Sequence, residues 1–474
     1  MVDTPLRLSA EEMRRLGYRA VDEVVEHLAT LRERPVGSPP VRERIEGLLD
    51  VGLPDGPSDP IEVLAEAVGR VREFIVHTDH PRFLAYIPGP STYVGAVADF
   101  IASGLNVFAG QWLVGSGPAI MERIVIDWLR TLCGLPDTGG GLFVSGGTMA
   151  NLVAVHAARS ESADDGGLIY VTSQTHSSIR KGLRFLGFGP DQLRVVGTDE
   201  SHRMDLVSLK EQIACDRRGG YQPLCVVATA GTTNTGAVDP LDELADLCAD
   251  HGLWLHVDGA YGAAAVLSDR GGDLLKGLGR ADSIALDPHK WWYQPYEVGC
   301  VLVRDETTLI DAFSMNAEYL RETRHGSGPL NYYDLGPQLT RGFRALKLWM
   351  SLKTFGLDEF RKAVERGMAL AEHAQDLLLK GDRWEVVTPA QLAILTFRPR
   401  VPDARPEAVD SVTRRIAAGT LEDGFALVLT TEIDERPVLR LCITHPETTV
   451  GDIEETIALL ERLADEAVAT QGLR

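Results

Sequence analysis

The sequence has few cysteines, and they do not form a recognisable ligand pattern. Its 474 residues include six cysteines, which are widely spaced, with no CxxC pair and no cluster of cysteine with histidine. A disulfide framework or a structural zinc site is therefore not expected, and we predict no metal site. A reducing compartment fits this cysteine usage best.

Basic residues are also scarce relative to acidic ones. There are 47 Lys and Arg against 68 Asp and Glu, which gives a formal net charge of −21. Nucleic acids and anionic membranes are bound through basic surfaces, so neither is an expected partner. The first residues are charged and lack the apolar run of a signal peptide, and no apolar stretch reaches the length that spans a bilayer. We therefore expect a cytoplasmic protein.

The N-terminal part of the chain is predicted to be helical. Ser9 and Glu12 have the spacing of a capping box, and apolar residues then recur at helical spacing until Pro35. A short helix and a third helix, with an apolar face over 61–75, follow. Each helix has an apolar stripe but little bulk, so we expect this segment to pack on something else, such as a partner subunit.

From about Gly139 onward, short apolar runs alternate with helical patterns. Continuous apolar runs separated by helices are typical of a parallel sheet that is covered on both faces. The sequence therefore predicts an α/β protein, followed by a helical region over 342–380 and a smaller α+β unit. The seven runs are 141–147, 168–173, 193–198, 224–230, 253–260, 282–287 and 299–304.

The first of these runs ends in a glycine-rich turn, Ser145-Gly-Gly-Thr-Met-Ala-Asn151. In open α/β sheets, ligands bind beyond the carboxyl ends of the strands. Glycines at a strand-to-helix turn expose backbone N–H groups that can hold a phosphate, and Thr148 could add a hydroxyl donor. A plain tight turn is the alternative. The segment is neither a Walker motif nor GxGxxG, so nothing indicates a nucleotide-dependent dehydrogenase.

Three further strand ends carry a polar residue that could serve the same ligand. Asp258 ends an apolar strand, where it could cap a helix or hold a cationic partner such as a protonated ring nitrogen. Lys290 lies between an apolar strand and two tryptophans, either as a loop lysine or as a desolvated nucleophile. His176 could be structural, or it could stack on a planar ring.

Together these groups match one ligand. A phosphate site, a carboxylate for a pyridinium nitrogen, a Schiff-base lysine and a stacking histidine make up a pyridoxal phosphate site. At this point the chain resembles the group II pyridoxal-phosphate-dependent decarboxylases, and among them the aromatic-L-amino-acid decarboxylases. The resemblance rests on HPRFLAYIP from His80, on LWLHVDGAYG, and on ADSIALDPHKWW, whose lysine comes 32 residues after the aspartate of the preceding motif.

The resemblance implies the fold and the domain plan. It implies the aspartate aminotransferase-like fold of pyridoxal phosphate enzymes, with a mostly parallel seven-stranded sheet. We expect an N-terminal helical dimerisation segment over 1–85, a large cofactor domain over 86–375 and a small α+β domain over 376–474. It also implies a homodimer with its active sites at the subunit interface.

The resemblance assigns four residues to catalysis. Lys290 would bind the cofactor as a Schiff base, Asp258 would keep the pyridinium nitrogen protonated, and His176 would stack on the ring and orient the substrate carboxylate. Tyr332, in RHGSGPLNYYDLG, matches the tyrosine of a mobile loop that reprotonates Cα, often across the dimer interface. With these four present, we expect decarboxylation of tryptophan, phenylalanine, tyrosine or dopa to the arylalkylamine and CO2.

The remaining site residues are also implied by the resemblance. Asp287 occupies a position where an asparagine is common in the family. Gly89 and Gly110 would remove volume from the pocket walls and so admit a side chain as large as indole. Residues expected around the cofactor, besides the four above, are Gly147, Thr148, Thr233, Ala260, Asp287 and His289. Residues expected on the substrate side are Tyr86, Ile87, Pro88, Gly89, Phe108, Gly110 and Trp291.

Other activities remain open on the same scaffold. A decarboxylase of glutamate or 2,4-diaminobutyrate is one alternative, although the pocket segment carries no evident basic residue for a second carboxylate. An aromatic aldehyde synthase is another, although such relatives typically lose the loop tyrosine or the stacking histidine. A scaffold that binds the cofactor without catalysis is disfavoured because all four catalytic positions are retained.

Overall fold

The computed structural model describes residues 6–162, 166–314 and 331–472. The chain begins with three helices: α1 (Ala10–Thr30), α2 (Arg42–Leu49) and α3 (Pro60–Phe74). The predicted capping box at the start of α1 is confirmed. The Ser9 hydroxyl accepts a hydrogen bond from the Glu12 backbone N–H, and the Glu12 carboxylate accepts one from the Ser9 N–H.

All seven predicted apolar runs are strands of one sheet. Its order is β1-β7-β6-β5-β4-β2-β3, and β7 runs antiparallel to both of its neighbours while the other pairs are parallel. The mostly parallel sheet is therefore confirmed. Its strands are β1 (Gly140–Val144), β2 (Leu168–Thr172), β3 (Leu193–Val196), β4 (Pro223–Thr229), β5 (Trp254–Asp258), β6 (Ser283–Leu286) and β7 (Gly299–Val303).

Helices before, between and after these strands complete the large unit. All strands except the edge strand β3 are buried along almost their whole length, as expected for a sheet with both faces covered. The helices are α4 (Tyr93–Gly104), α5 (Trp112–Leu132), α6 (Gly147–Ser160), α7 (Ser177–Phe185), α8 (Leu206–Arg218), α9 (Leu241–His251), α10 (Asp269–Leu274) and α11 (Thr307–Phe313).

The helical region predicted over 342–380 consists of two helices. The break lies at Gly356, whose φ of +74° is a conformation that glycine adopts without strain. A four-stranded antiparallel sheet of order β10-β11-β9-β8 then forms the small α+β unit. Its elements are α12 (Ala345–Phe355), α13 (Leu357–Leu379), β8 (Trp384–Gln391), β9 (Ile394–Pro399), α14 (Pro406–Asp423), β10 (Leu429–Ile433), β11 (Arg436–Cys442) and α15 (Val450–Thr470).

Two structural features bear on the predicted domain boundaries, and the boundaries themselves stay predictions. Helix α13 continues without a break through residue 375, where the second boundary was expected. Near the first boundary, Phe83 forms a parallel bridge to Leu427 and so joins the end of the N-terminal segment to the small unit. Among the described residues, no helix combines the length and apolar composition needed to cross a bilayer.

Candidate active site

A cavity of about 450 Å³ opens at the carboxyl ends of the strands in the large sheet. Strands β1, β2, β4, β5 and β6 all end on this edge, so the residues that follow them converge although they are far apart in the sequence. All nine residues predicted around the cofactor line this one cavity: Gly147, Thr148, His176, Thr233, Asp258, Ala260, Asp287, His289 and Lys290.

The N-terminus of α6 forms one end of the cavity. The first backbone N–H groups of any α-helix lack partners within the helix, and no side chain caps them here. A Cβ atom built on Gly147 would lie 2.8 Å from Asp287 Oδ2, so only glycine permits this close approach. Two residues that line the same cavity each have a buried polar atom without a hydrogen-bond partner among the described residues. These atoms are Thr229 Oγ1 and Asp287 Oδ1. The N–H groups at the start of α6 and the Thr229 hydroxyl can donate to an anionic group such as a phosphate, whereas the Asp287 carboxylate oxygen can only accept.

Lys290 is held by an acidic neighbour. Its Nζ lies 2.9 Å from Asp287 Oδ2, and His289 Nε2 lies 3.6 Å from the same oxygen. Burial opposes the charge on Lys290, but the Asp287 carboxylate and its hydrogen bond outweigh burial and raise the pKa of the amine. Burial lowers the pKa of His289, whose Nδ1 accepts a hydrogen bond from the Val298 backbone N–H.

Asp258 is the last residue of β5 and its side chain is buried. Its Oδ2 accepts a hydrogen bond from Asn151 Nδ2 at 2.9 Å, and its Oδ1 accepts one from the Ala260 backbone N–H at 3.2 Å. Both partners are donors, as an ionised carboxylate requires. A carboxylate at this place can hold a cationic ring nitrogen.

His176 is the N-cap residue of α7. Its Nδ1 accepts a hydrogen bond from the Ser178 backbone N–H at 3.2 Å and lies 2.8 Å from Ser178 Oγ. The imidazole lines the cavity together with Asp258. The contacts of Nδ1 leave Nε2 as the ring nitrogen available to a ligand.

Several cavity residues were not predicted from the sequence. Asn151 and Ser178 connect Asp258 with His176, and Thr229 is the last residue of β4. Asn151 could have been found, because it lies four residues after Gly147 and so on the same face of α6. Ser178 offered no comparable signal, since its role depends on a contact between two helices.

The predicted substrate segment 86–89 lies beside this site. The Arg440 guanidinium of β11 donates hydrogen bonds to the backbone oxygens of Tyr86 and Thr233, which ties the segment to the cavity and to the small unit. Thr444 Oγ1 lies 3.5 Å from the Pro88 oxygen. Ile87 packs against the main core of the large unit.

The space beside the two glycines that were expected to enlarge the pocket is occupied within this chain. A Cβ built on Gly89 would lie 2.5 Å from the Tyr296 hydroxyl and 2.7 Å from the His289 oxygen. A Cβ on Gly110 would meet the Leu339 oxygen and would lie 3.2 Å from Phe108. The space beside each glycine is already filled by atoms of its own chain, so close packing requires glycine at both positions.

Trp291 also requires a correction. Its side chain is fully buried, stacks on Tyr261 with ring centroids 5.1 Å apart, and faces Gly367 of α13. It does not line the cavity that Lys290 lines. An aromatic next to the lysine was predicted to contact substrate, but the chain turns between the two residues and places the indole in the core.

Tyr332 does not line the cavity of its own chain. It is buried in a cluster with residues of α5 and β1, and the Arg341 guanidinium lies 4.9 Å from its ring centroid. Burial raises the pKa of its phenol, and its hydroxyl has no hydrogen-bond partner among the described residues. Of the predicted loop segment RHGSGPLNYYDLG, residues 324–330 lie outside the described residues.

The segment that holds Phe108 and Gly110 is bonded to the region around Tyr332. The Tyr333 backbone N–H donates to the Gly110 oxygen at 3.2 Å, and the Ala109 N–H donates to the Arg341 oxygen at 3.1 Å. The structure therefore places Phe108 and Gly110, predicted on the substrate side, next to the region of Tyr332. Their catalytic and binding roles stay predictions.

Within residues 6–162, 166–314 and 331–472, one cluster of potential metal ligands is present, although no metal site was predicted. Ligand atoms of His27, His77 and Asp79 all lie within 4.8 Å of one another. His27 Nε2 lies 2.9 Å from Asp79 Oδ2, and this hydrogen bond accounts for the contact between two members without a metal ion.

Comparisons with known proteins agree with the geometry. A family model described as the pyridoxal-dependent decarboxylase conserved domain matches residues 42–400. The chain is 45% identical to an aromatic-L-amino-acid decarboxylase of Bacillus atrophaeus over 97% of each chain. It is 32% identical to a phenylacetaldehyde synthase of Petunia hybrida over 82% of this chain and 80% of the relative.

The fold is also that of solved pyridoxal phosphate enzymes. The crystal structure of Oryza sativa TDC with PLP and tryptamine superimposes with a TM-score of 0.91 and 28% identity, over 98% of this chain and 99% of that chain. The predicted α/β fold and the predicted cofactor are therefore confirmed. The chain belongs to the pyridoxal-dependent decarboxylase family.

Proposed function

We propose that this amino-acid decarboxylase acts on an aromatic L-amino acid and releases CO2 and the arylalkylamine. The observation that carries the proposal is the convergence of Lys290, Asp258, His176 and the N-terminus of α6 on one cavity. The identity of 45% to an aromatic-L-amino-acid decarboxylase supports the substrate class.

Different residues of the cavity would bind different parts of the cofactor. The N-terminus of α6, with Thr148 and Thr233, would hold the phosphate, and Asp258 would bind the ring nitrogen in its protonated form. Lys290 would attach the cofactor covalently until a substrate amine replaces it. When bound, pyridoxal phosphate supplies an electron sink for the bond that breaks at Cα.

Orientation of the substrate is the second task of the chain. His176 would lie over the ring and donate a hydrogen bond from Nε2 to the substrate carboxylate. Tyr332, whose phenol is kept protonated by burial, would return a proton to Cα. Because Tyr332 does not line the cavity of its own chain, we infer that it serves the cavity of a partner subunit.

A homodimer is therefore part of the proposal. Helices α1, α4 and α5 expose large apolar side chains. Exposure of such side chains to water is unfavourable, so this surface is expected to be covered by a second copy of the chain. Examples are Val21, Val24, Phe100, Ile101, Leu113 and Val114. No nucleic-acid or membrane partner is proposed, because the net charge of −21 disfavours both. A cytoplasmic location stays a prediction.

Aldehyde formation is the second candidate reaction, because a phenylacetaldehyde synthase is among the relatives. The two reactions differ in products and in the need for oxygen. The purified enzyme, loaded with pyridoxal phosphate, would be incubated separately with tryptophan, phenylalanine, tyrosine, dopa, histidine and glutamate. Amine, aldehyde, ammonia, peroxide and CO2 would be quantified by mass spectrometry and coupled assays.

Amine formed in step with CO2 from an aromatic substrate is the expected result. Aldehyde with ammonia and peroxide would instead assign the oxidative reaction. Turnover of glutamate alone would overturn the aromatic proposal. Lys290→Ala protein serves as the control, since it lacks the amine that attaches the cofactor while the rest of the cavity is unchanged.

A further inference from the structure

We propose that Asn151 is a positioning residue that sets the direction of the hydrogen bonds on both sides of the cofactor site. The amide of Asn151 donates to Asp258, which therefore accepts. Through Ser178, the same amide leaves His176 with an N–H that it can donate into the cavity. The proposal rests on the cofactor-binding roles given above and extends them to a residue outside the predicted set.

Asn151 lies in the second turn of α6 and is almost completely buried. Its Nδ2 lies 2.9 Å from Asp258 Oδ2 and 3.1 Å from Ser178 Oγ, so both amide hydrogens have an acceptor. Its Oδ1 lies 2.9 Å from His256 Nε2. The opposite amide orientation would place its oxygen against the Asp258 carboxylate with no hydrogen between them, so the carboxylate determines the orientation.

The first arm of the network runs from Asn151 back through His256. Because Asn151 Oδ1 can only accept, His256 carries its hydrogen on Nε2, and its Nδ1 then accepts from Ser283 Oγ at 2.8 Å. Ser283 Oγ in turn accepts from Trp254 Nε1 at 2.8 Å. Burial lowers the pKa of His256 to about 4, which keeps the ring in the neutral form that these contacts require.

The second arm runs from Asn151 to His176. Ser178 Oγ accepts from Asn151, so its own hydrogen points to His176 Nδ1 at 2.8 Å, which the Ser178 backbone N–H also approaches. A neutral imidazole whose Nδ1 accepts carries its hydrogen on Nε2. His176 therefore presents an N–H donor to the cavity, and a carboxylate is the complementary group on an amino-acid substrate.

The two arms can be tested by removing one hydroxyl from each. Ser283→Ala and Ser178→Ala each remove the hydroxyl of one buried serine, of which Ser178 bonds Asn151 directly and Ser283 bonds it through His256. Asn151→Asp keeps the side-chain size but replaces the two donated hydrogens with an acceptor beside Asp258. Cofactor affinity and the absorption band of the bound cofactor would be measured against pH by titrating the apo-proteins with pyridoxal phosphate, and KM and kcat would be measured separately.

We expect Ser283→Ala to weaken cofactor binding and to shift the pH dependence of the absorption band. Ser178→Ala should leave both unchanged, raise KM and alter the pH profile of kcat/KM. Asn151→Asp should combine the effects of the two serine variants. Its cofactor affinity should fall about 10- to 100-fold, because hydrogen bonds to a charged group are lost. The serine variants carry the test if the aspartate variant does not fold.

Identical effects of the two serine variants on every parameter would overturn the assignment of two arms. The role of Asn151 would be overturned if all three variants kept a cofactor affinity and a KM within about two-fold of wild type. Their absorption bands and pH profiles would then also be unchanged. Failure of the wild-type apo-protein to bind pyridoxal phosphate would instead contradict the proposed function, so the two failures are distinguishable.

Discussion

Lys290 Nζ lies 2.9 Å from Asp287 Oδ2, so the lysine that is proposed to bind the cofactor has a carboxylate as its direct partner. The family commonly has an uncharged asparagine at this position. The negative charge raises the pKa of the lysine and so disfavours the neutral amine that attacks a carbonyl. The same charge lies beside the cavity end where we propose that the phosphate binds.

Asp287→Asn is expected to lower the pKa of Lys290, because the charge that favours the ammonium form is removed. The apo-protein should then take up pyridoxal phosphate faster at pH 8, and the pH profile of the uptake rate should move to lower pH. Stopped-flow absorbance between about pH 6.5 and 10 would measure this. Asp99→Asn is the matched control, since Asp99 Oδ2 lies 2.8 Å from the Nζ of a different lysine, Lys347. An unchanged profile for Asp287→Asn would contradict the assigned influence of the carboxylate.

Mixed dimers should reveal whether Tyr332 serves the partner's cavity. Lys290→Ala and Tyr332→Phe chains would each be nearly inactive alone. In a mixed dimer, one site then combines the intact Lys290 of one chain with the intact Tyr332 of the other. Co-expression in equal amounts should therefore restore about one quarter of wild-type activity, because half of the dimers are mixed and each has one intact site. Activity no higher than the average of the single variants would contradict a contribution of Tyr332 to the partner's cavity.

The buried pair of Glu122 and Arg341 should contribute strongly to stability. Arg341 Nη2 lies 2.6 Å from Glu122 Oε1 and also donates to the Phe143 oxygen, and both side chains are almost fully buried. Glu122→Gln leaves a buried guanidinium without its counter-charge and should lower the free energy of unfolding by about 3–5 kcal/mol.

Urea unfolding would measure this effect, with Glu422→Gln as the control. Glu422 pairs with Arg415 on the surface, where both side chains are about half exposed, and its loss should cost at most about 1 kcal/mol. Equal losses for the two variants would show that burial of the first pair does not matter. Since the Arg341 backbone also holds Ala109, the Glu122 variant should raise KM if the adjacent Phe108 contacts substrate.

Acid should destabilise the protein through His445. Its Nε2 lies 2.9 Å from the Asp79 oxygen, and its Nδ1 accepts from the Glu447 backbone N–H, so the neutral ring is fully bonded. Burial lowers the pKa of His445 from 6.5 to about 4. Its contribution is thus complete above pH 6.5 and is lost as the pH falls toward 4, by up to about 3 kcal/mol.

Unfolding midpoints of wild type and His445→Asn would be compared across this pH range. The variant should be less stable at pH 7 but should show a shallower decline between pH 6.5 and 4, because it has no buried imidazole to protonate. Above pH 6.5 the two curves should run parallel, which serves as the internal control. Parallel curves at all pH values would contradict the assignment.

Much of the site followed from local sequence patterns. The apolar runs before Asp258 and Lys290 are continuous because their strands are buried on both faces, and this pattern identifies strands without knowledge of their neighbours. In a parallel sheet, the residues that follow such strands must meet at one edge. The glycine-rich turn, His176, Asp258 and Lys290 could therefore be predicted to meet, whereas Thr233, Ala260, Asp287 and His289 were placed at the same cavity by the family resemblance.

Other residues could not be placed in this way. A tryptophan beside the lysine has the same local pattern whether it faces the cavity or the core, and only its stacking on Tyr261 decides between them. A glycine in a pocket segment indicates either extra space or a close neighbour. The Tyr296 hydroxyl beside Gly89 decides for the neighbour, and that contact joins two distant segments.

The sequence by itself determined the strands, the edge of the sheet where a ligand binds and the residue types that meet there, because these depend on patterns of adjacent residues. Only the tertiary structure decided which of those residues contact one another. The connection of Asp258 to His176 through Asn151 depends on side chains from three elements packed within hydrogen-bonding distance. Such contacts arise from the packing of helices on the sheet, which no single segment of the chain encodes.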